Sequence, residues 1–297
     1  MSNSLAFKPS FRTLAPYLAG PVLLNLFVIA APLAGAVYYS LHVTFNYELT
    51  FVGLENYVKL LSDEIFWFSL RNNIIIIVLS GFVQIVLGFI IAFAMQSNYI
   101  RWKRLVQAIF FLPVVVSPLV VSYLWQLILS TRNGMLNIML ESIGLGMLQR
   151  NWLADPQLVV FAICVPLTWQ FTGLYMVIFL AGLTGIPREI LECAEIDGAN
   201  GFRRAIHIVM PLLKSTFNVT LLLVLAGGVR IFEQIYAMTG GGPGYSSMVL
   251  AQYAYSVGFG QNNHGYGSAI AIEMLLISFI LIGVTTKLIG GTKQNDY

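Results

Sequence analysis

Three ionisable side chains lie inside otherwise apolar runs of this 297-residue chain: Arg230 and Glu233 in one run, and Glu273 in the next. A charge at a lipid-facing helix centre costs roughly 2.5–3.5 kcal/mol, so such groups are expected to face a protein interior or a wet pathway. Arg230 and Glu233 stand three residues apart, a spacing at which opposite charges pair on one helix face. They are read either as lining or gating a path or as a buried pair that fixes helix packing. Trp169, Gln170 and Tyr175 in the preceding run, with Gln234 and Tyr236, supply planar hydrogen-bonding groups beside aromatic faces. That set suits a polyhydroxylated ring, which presents hydroxyls at its edge and C–H groups on its face. In an apolar bundle, however, aromatic residues more often pack than bind.

Bond-making chemistry is not indicated. His42, His207 and His264 fall on different segments and form no metal-ligand spacing, and no Ser/His/Asp or Cys/His arrangement stands out. The run Gly240-Gly-Gly-Pro-Gly244 lacks the Lys-Ser/Thr and the strand-to-helix setting of a phosphate-binding loop. Cys164 and Cys193 suggest neither a disulfide framework nor a metal site. A net charge of +3 leaves no electrostatic footprint for nucleic acid.

The elements that must position these groups are set by composition. With 58% hydrophobic and 10% charged residues and a mean hydropathy of +0.79, the chain reads as an all-α integral membrane protein. Six transmembrane helices are expected at about 14–41, 73–95, 106–129, 158–183, 216–238 and 268–289, within one membrane domain flanked by a short N-terminal segment (1–13) and a tail (290–297). The first run has a rival reading as a cleavable signal peptide, with Ala34-Gly35-Ala36 as a cleavage site, but it is longer than a typical signal h-region. Gly81, Gly88 and Ala92 give the second span a stripe for close helix contact. Pro113 and Pro118 fall inside the third and Pro166 inside the fourth. The stretches 42–70 and 130–157 read as an amphipathic, net acidic loop and a polar loop.

Between the fourth and fifth spans, 187–213 reads as two amphipathic helices with a hinge. Pro187 suits a first turn and Glu189 complements the helix dipole. Ile190, Leu191 and Ala194 form an apolar face against Arg188, Glu192 and Glu195, and Gly198 supplies the left-handed residue that ends the helix. Phe202, Ala205, Ile206 and Val209 repeat the pattern opposite Arg203, Arg204 and His207 until Pro211 interrupts it. The N-terminus, 96–105, 184–214 and the tail from Lys287 carry Lys8, Arg12, Arg101, Lys103, Arg104, Arg188, Arg203, Arg204, Lys214, Lys287 and Lys293; the opposite loops carry Lys59, Arg71, Arg132 and Arg150. The positive-inside rule then puts both termini and the hairpin in the cytoplasm.

Glu192-Cys193-Ala194, Asp197-Gly198-Ala199, Ile208 and Pro211-Leu212 resemble the EAA loop of permease subunits in bacterial ATP-binding-cassette importers. Cys193 departs from the usual alanine and Ala205 from the usual aromatic residue. Phe110-Phe-Leu-Pro-Val-Val-Val-Ser-Pro118, Trp125, Gly134-Met-Leu-Asn137, Trp152-Leu-Ala-Asp155, Ala181-Gly-Leu183, Ile186-Pro187, Phe232 with Tyr236, and Gly265-Tyr-Gly-Ser-Ala269 extend the likeness over nearly the whole chain, to the maltose-type carbohydrate permeases. The loop after the fifth span resembles their Thr-Gly-Gly-Pro element. The resemblance implies a type I importer fold in the bacterial inner membrane and a partnership with a second, homologous permease. It also implies two ATPase subunits that bind ATP and Mg²⁺, so that this chain has no cofactor of its own, and an extracytoplasmic solute-binding protein that delivers a sugar. In that family the hairpin couples to the ATPase, which singles out Glu192, Ala194, Asp197, Gly198, Ala199 and Pro211. The rival expectations are a permease for a polyol or glycerol-phosphate ester, and an ion-driven secondary transporter using Glu273.

Overall fold

The computed structural model describes residues 11–45, 48–96, 100–199 and 201–290. Lys8 and Lys293, which enter the charge count, lie outside the described residues, as do most of the N-terminal segment and the tail. Helix α1 (Phe11–Asn25) continues through a π-helical turn (Leu26–Ala30) into α2 (Ala31–Ser40). Strands β1 (His42–Phe45) and β2 (Glu48–Phe51) follow, then α3 (Glu55–Leu61), α4 (Glu64–Gln96), α5 (Lys103–Val115), α6 (Pro118–Leu129), α7 (Met135–Ser142) and α8 (Val159–Thr184). The hairpin comprises α9 (Arg188–Ile196), α10 (Gly201–Arg204), a π turn (Ala205–Val209) and α11 (Met210–Leu212). Next come α12 (Lys214–Val229), α13 (Glu233–Thr239), α14 (Leu250–Tyr255), a π turn (Ser256–Gly260) and α15 (His264–Gly290).

Among the described residues, four helical stretches are long and apolar enough to cross a membrane: Leu14–Ser40, Glu64–Gln96, Val159–Thr184 and His264–Leu288. The remaining spans are not the continuous helices expected. Ser117 is extended ahead of Pro118, as a residue before proline prefers, and α5 meets α6 at 96°. Helix α12 has 16 residues, about 24 Å against a hydrocarbon core of about 30 Å. It stops at Arg230, and the chain resumes as α13 at Glu233, so the expected 216–238 span is broken. The second span starts well before residue 73, because the Asp63 carboxylate accepts the N–H groups of Ile65 (2.9 Å) and Phe66 (3.2 Å) and caps α4. The expected loops also hold structure: an antiparallel hairpin pairs His42 with Phe51, and the indole N–H of Trp152 donates to Asn137 Oδ1 (2.8 Å), joining two of the quoted motifs.

The described residues form two compact units, one within 11–62 and 256–272, the other within 63–255 and 273–290. In the first, the Asn56 amide donates to the carbonyls of Ser40 (2.8 Å) and His42 (3.0 Å). The Lys59 ammonium sits 4.3 Å from the ring centroid of Tyr266. In the second, the small residues of α4 admit their neighbours as the stripe predicts. A Cβ on Gly88 would lie 2.9 Å from the Met176 nitrogen, and one on Gly81 would lie 2.2 Å from Val224 Cγ1. Ala92 is fully buried beside Phe89, Phe179 and Val209. The substitution-intolerant contacts thus fix α4 against α8 and α12.

Candidate functional site

In the larger unit a cleft of about 600 Å³ opens where the fifth span breaks, bounded by α4, α8, α12 and the start of α13. Its lining is apolar except for a few groups, among them Ser80, Gln84, Tyr175, Arg230, Glu233 and Gln234. Buried amides build this geometry. Asn73 donates to the carbonyls of Gly228 (2.8 Å) and Val229 (3.3 Å), which the end of α12 leaves free, and accepts the N–H of Leu250 (2.8 Å). Gln170, buried on α8, donates to the Val116 carbonyl at the α5–α6 bend (2.9 Å) and accepts from Gln234 (2.6 Å). Gln84 donates to the Leu167 carbonyl (3.0 Å). In lipid such carbonyls have no water to turn to, so irregular backbone survives where protein groups satisfy it or where it lines a wet cavity.

Arg230 and Glu233 do not pair. Arg230 closes α12 and its Nε donates to the Ala226 carbonyl (3.1 Å), whereas Glu233 opens α13, so the break takes them off a common helix face. Both line the cleft with Tyr175 and Gln234. Gln170 reaches it through Gln234. The other expected path residues lie apart. Trp169 lines a separate apolar groove of about 680 Å³, its ring 6.1 Å from that of Trp125. Tyr236 stacks on Phe232 (5.2 Å) and meets Tyr255 edge-on (5.8 Å). Glu273 is half-buried on α15 and is not among the cleft-lining residues. Sequence reasoning missed Asn72, Asn73, Gln84 and Gln126. The signal for three of them was present, since Asn73, Gln84 and Gln126 are amides within apolar runs.

The hairpin follows its pattern with three corrections. Pro187 is the residue before the helix rather than part of its first turn. Helix α9 ends in a Schellman motif: Gly198 (φ +75°) donates to the Glu195 carbonyl (3.1 Å) and Ala199 to that of Ala194 (2.9 Å). Ala194 is buried beneath it, while Glu192 and Asp197 are exposed. Pro211 does not interrupt the second leg, because the preceding π turn carries the helix past it, and the bend of 77° falls between Leu212 and Lys214. Phe202 is not part of the apolar seam: Ala205 and Val209 are buried, but Phe202 is 79% exposed and Ile196 85%. Two apolar side chains therefore project beside the Gly198 turn.

The glycine-rich loop closes on itself and on α4. Ser247 Oγ donates to the Gly242 carbonyl (2.7 Å), and Asn72 donates to the carbonyls of Ser246 and Met248 (2.9 Å each). Among the described residues no group of three His, Cys, Asp or Glu side chains is placed to hold a metal ion.

A helical bundle with broken spans around a polar-studded cleft, and an exposed two-legged hairpin between spans, defines a membrane permease subunit. Residues 84–292 match the family described as binding-protein-dependent transport system inner membrane component, and the chain belongs to that family. It is 33% identical to the trehalose/maltose transport system permease protein MalF of Thermococcus litoralis, over 95% of this chain and 97% of that protein. It is 30% identical to the arabinooligosaccharides transport system permease protein AraP of Bacillus subtilis, over 94% and 90%. Its fold matches a chain in the crystal structure of a bacterial ABC transporter involved in import of the acidic polysaccharide alginate, with a TM-score of 0.84, 21% identity, and 95% and 96% of the two chains covered.

Proposed function

We propose that this subunit forms half of the translocation pathway of an ATP-driven importer for a neutral sugar or oligosaccharide, delivered by an extracytoplasmic binding protein. The observation that carries this reading is the cleft at the broken fifth span, where Tyr175, Arg230, Glu233 and Gln234 converge within an apolar bundle. Interrupted spans of this kind are where transporters place their substrate sites. One cation and one anion that do not pair with each other, beside amide and phenol groups, offer a hydroxylated ring both donors and acceptors. A phosphate ester would call for an excess of positive charge, which this lining lacks. The relatives named for trehalose/maltose and arabinooligosaccharides support the substrate class.

ATP is hydrolysed in this reading by two partner ATPase subunits, one of them docked on the exposed hairpin, with Glu192 at the contact and Gly198, Asp197 and Ala199 shaping the turn over Ala194. The hairpin and both termini face the cytoplasm, and a second, homologous permease supplies the other half of the path. Gentle solubilisation of tagged chain from its host, followed by mass spectrometry, should recover an ATPase and a second permease. Glu192→Lys should lower ATP-dependent uptake from a panel of labelled di- and oligosaccharides at least about tenfold with the chain still inserted. A chain that comes out alone and takes up solute under ion gradients with ATP depleted would overturn the proposal.

A further inference from the structure

Arg204 of α10 touches both the other leg of the hairpin and the transmembrane core. It is paired with Glu195 of α9. Its guanidinium carbon also lies 5.8 Å from the centroid of the Phe93 ring on α4, within cation–π range. Its side chain is 22% exposed, and Nε is buried without a hydrogen-bond partner. Fully hydrated, this side chain would lose nothing; held here, it gives up part of its hydration for two contacts, which marks a position that the fold specifies.

Phe93 is the edge of an aromatic cluster. It stacks on Phe89 (6.1 Å, 25°), and Phe89 meets Phe179 of α8 (5.6 Å) and Phe217 of α12 (5.4 Å), which contact each other at 4.6 Å. Helices α4, α8 and α12 are among those that bound the cleft. Phe89 stands five residues from Gln84, about 7.5 Å along α4. A close-packed aromatic cluster transmits displacement because it has little free volume to absorb it.

We propose that Arg204 is a positioning residue that clamps the hairpin to this cluster, so that movement imposed on the hairpin reaches the cleft through Phe93 and Phe89. This rests on the coupling role proposed for the hairpin and names the route by which that coupling travels. The ion pair locks α9 to α10 and makes the two legs one body; the cation over Phe93 ties that body to α4.

The test uses the whole complex with Cys193→Ala and a reporter, Leu223→Cys, in the cleft lining. The rate of reaction with a soluble maleimide is compared without nucleotide and with ATP, Mg²⁺ and vanadate. Nucleotide trapping should change the reporter's rate in the otherwise unmodified complex. Arg204→Ala should shrink that change about 3- to 20-fold while vanadate is still trapped. Arg204→Lys, which keeps a cation, should retain part of it, and Phe93→Leu should lose it as Arg204→Ala does. The exchange Glu195→Arg with Arg204→Glu restores the ion pair but puts an anion against Phe93, and should not restore the response. A full response in Arg204→Ala, or its recovery in the exchange, overturns the clamp. No response in the unmodified complex would instead remove the coupling role on which the clamp rests.

Discussion

At the scale of single residues, the cleft is held open by amides that satisfy backbone carbonyls at helix breaks. Asn73 serves three backbone groups at once, two on α12 and one on α14. Replacing it with leucine leaves all three buried and unsatisfied. Each such loss costs about 1–3 kcal/mol in proteins generally, although hydrogen bonds measured between membrane helices average about 0.6 kcal/mol. Asn73→Leu should therefore lower the thermal midpoint of the detergent-solubilised complex by an amount equivalent to about 1–3 kcal/mol; an unshifted midpoint would show that the break is held by other means. The charges in the cleft behave differently. Since Arg230 and Glu233 share no hydrogen bond or ion pair, Arg230→Gln and Glu233→Gln should have additive effects on uptake, within about 0.5 kcal/mol in a double-mutant cycle. A larger coupling would mean that the two pair during transport.

At the scale of elements, the sequence exposes what repeats along it and hides what depends on a distant partner. Four of the six apolar runs, the Gly81–Gly88–Ala92 stripe and the Gly198 turn are local patterns that appear in the structure as expected, whereas the third and fifth runs are bent or broken. The break after Arg230 is invisible to a hydropathy window because apolar residues flank it on both sides. What stabilises it is Asn73, more than 150 positions earlier in the chain. Of the expected path residues, Tyr175, Arg230, Glu233 and Gln234 reach the cleft because they lie on the facing sides of α8 and the break; Trp169 is one position before Gln170 and so points to a different face of α8. The β1–β2 hairpin was missed because its eight strand residues sit in a stretch whose overall polarity resembles a loop. Helix contact itself can be tested with Gly88. A Cβ there meets the backbone of Met176 rather than a flexible side-chain end, so Gly88→Leu should drive α4 from α8 and lose most of the monodisperse protein on size exclusion, as overpacking of 1–3 kcal/mol or more predicts. Gly283→Leu, on α15 with open space around it, is the matched control and should purify normally.

At the scale of the whole molecule, the asymmetry of charge and the form of the hairpin bear on one question, the side from which energy enters. On the six-span topology read from the sequence, Lys and Arg concentrate on the segments assigned to the side of the hairpin, against Lys59, Arg71, Arg132 and Arg150 in the loops assigned to the other. That bias orients membrane proteins with the richer side in the cytoplasm. The hairpin's exposed Ile196 and Phe202, on either side of the Gly198 turn, are apolar surface that the proposed ATPase contact would cover. ATP is available to a soluble partner on the cytoplasmic side alone. The chain supplies its own reporter of this arrangement: Cys193 is exposed on α9 and Cys164 is buried in α8. A membrane-impermeant maleimide should therefore label the chain in inverted vesicles and leave it unlabelled in intact cells, with Cys193→Ala abolishing the signal. Bound ATPase should slow that labelling, because Cys193 adjoins Glu192 at the proposed contact. Labelling from outside intact cells would invert the topology and place the hairpin where no ATP is found, and the cleft would then need another source of energy.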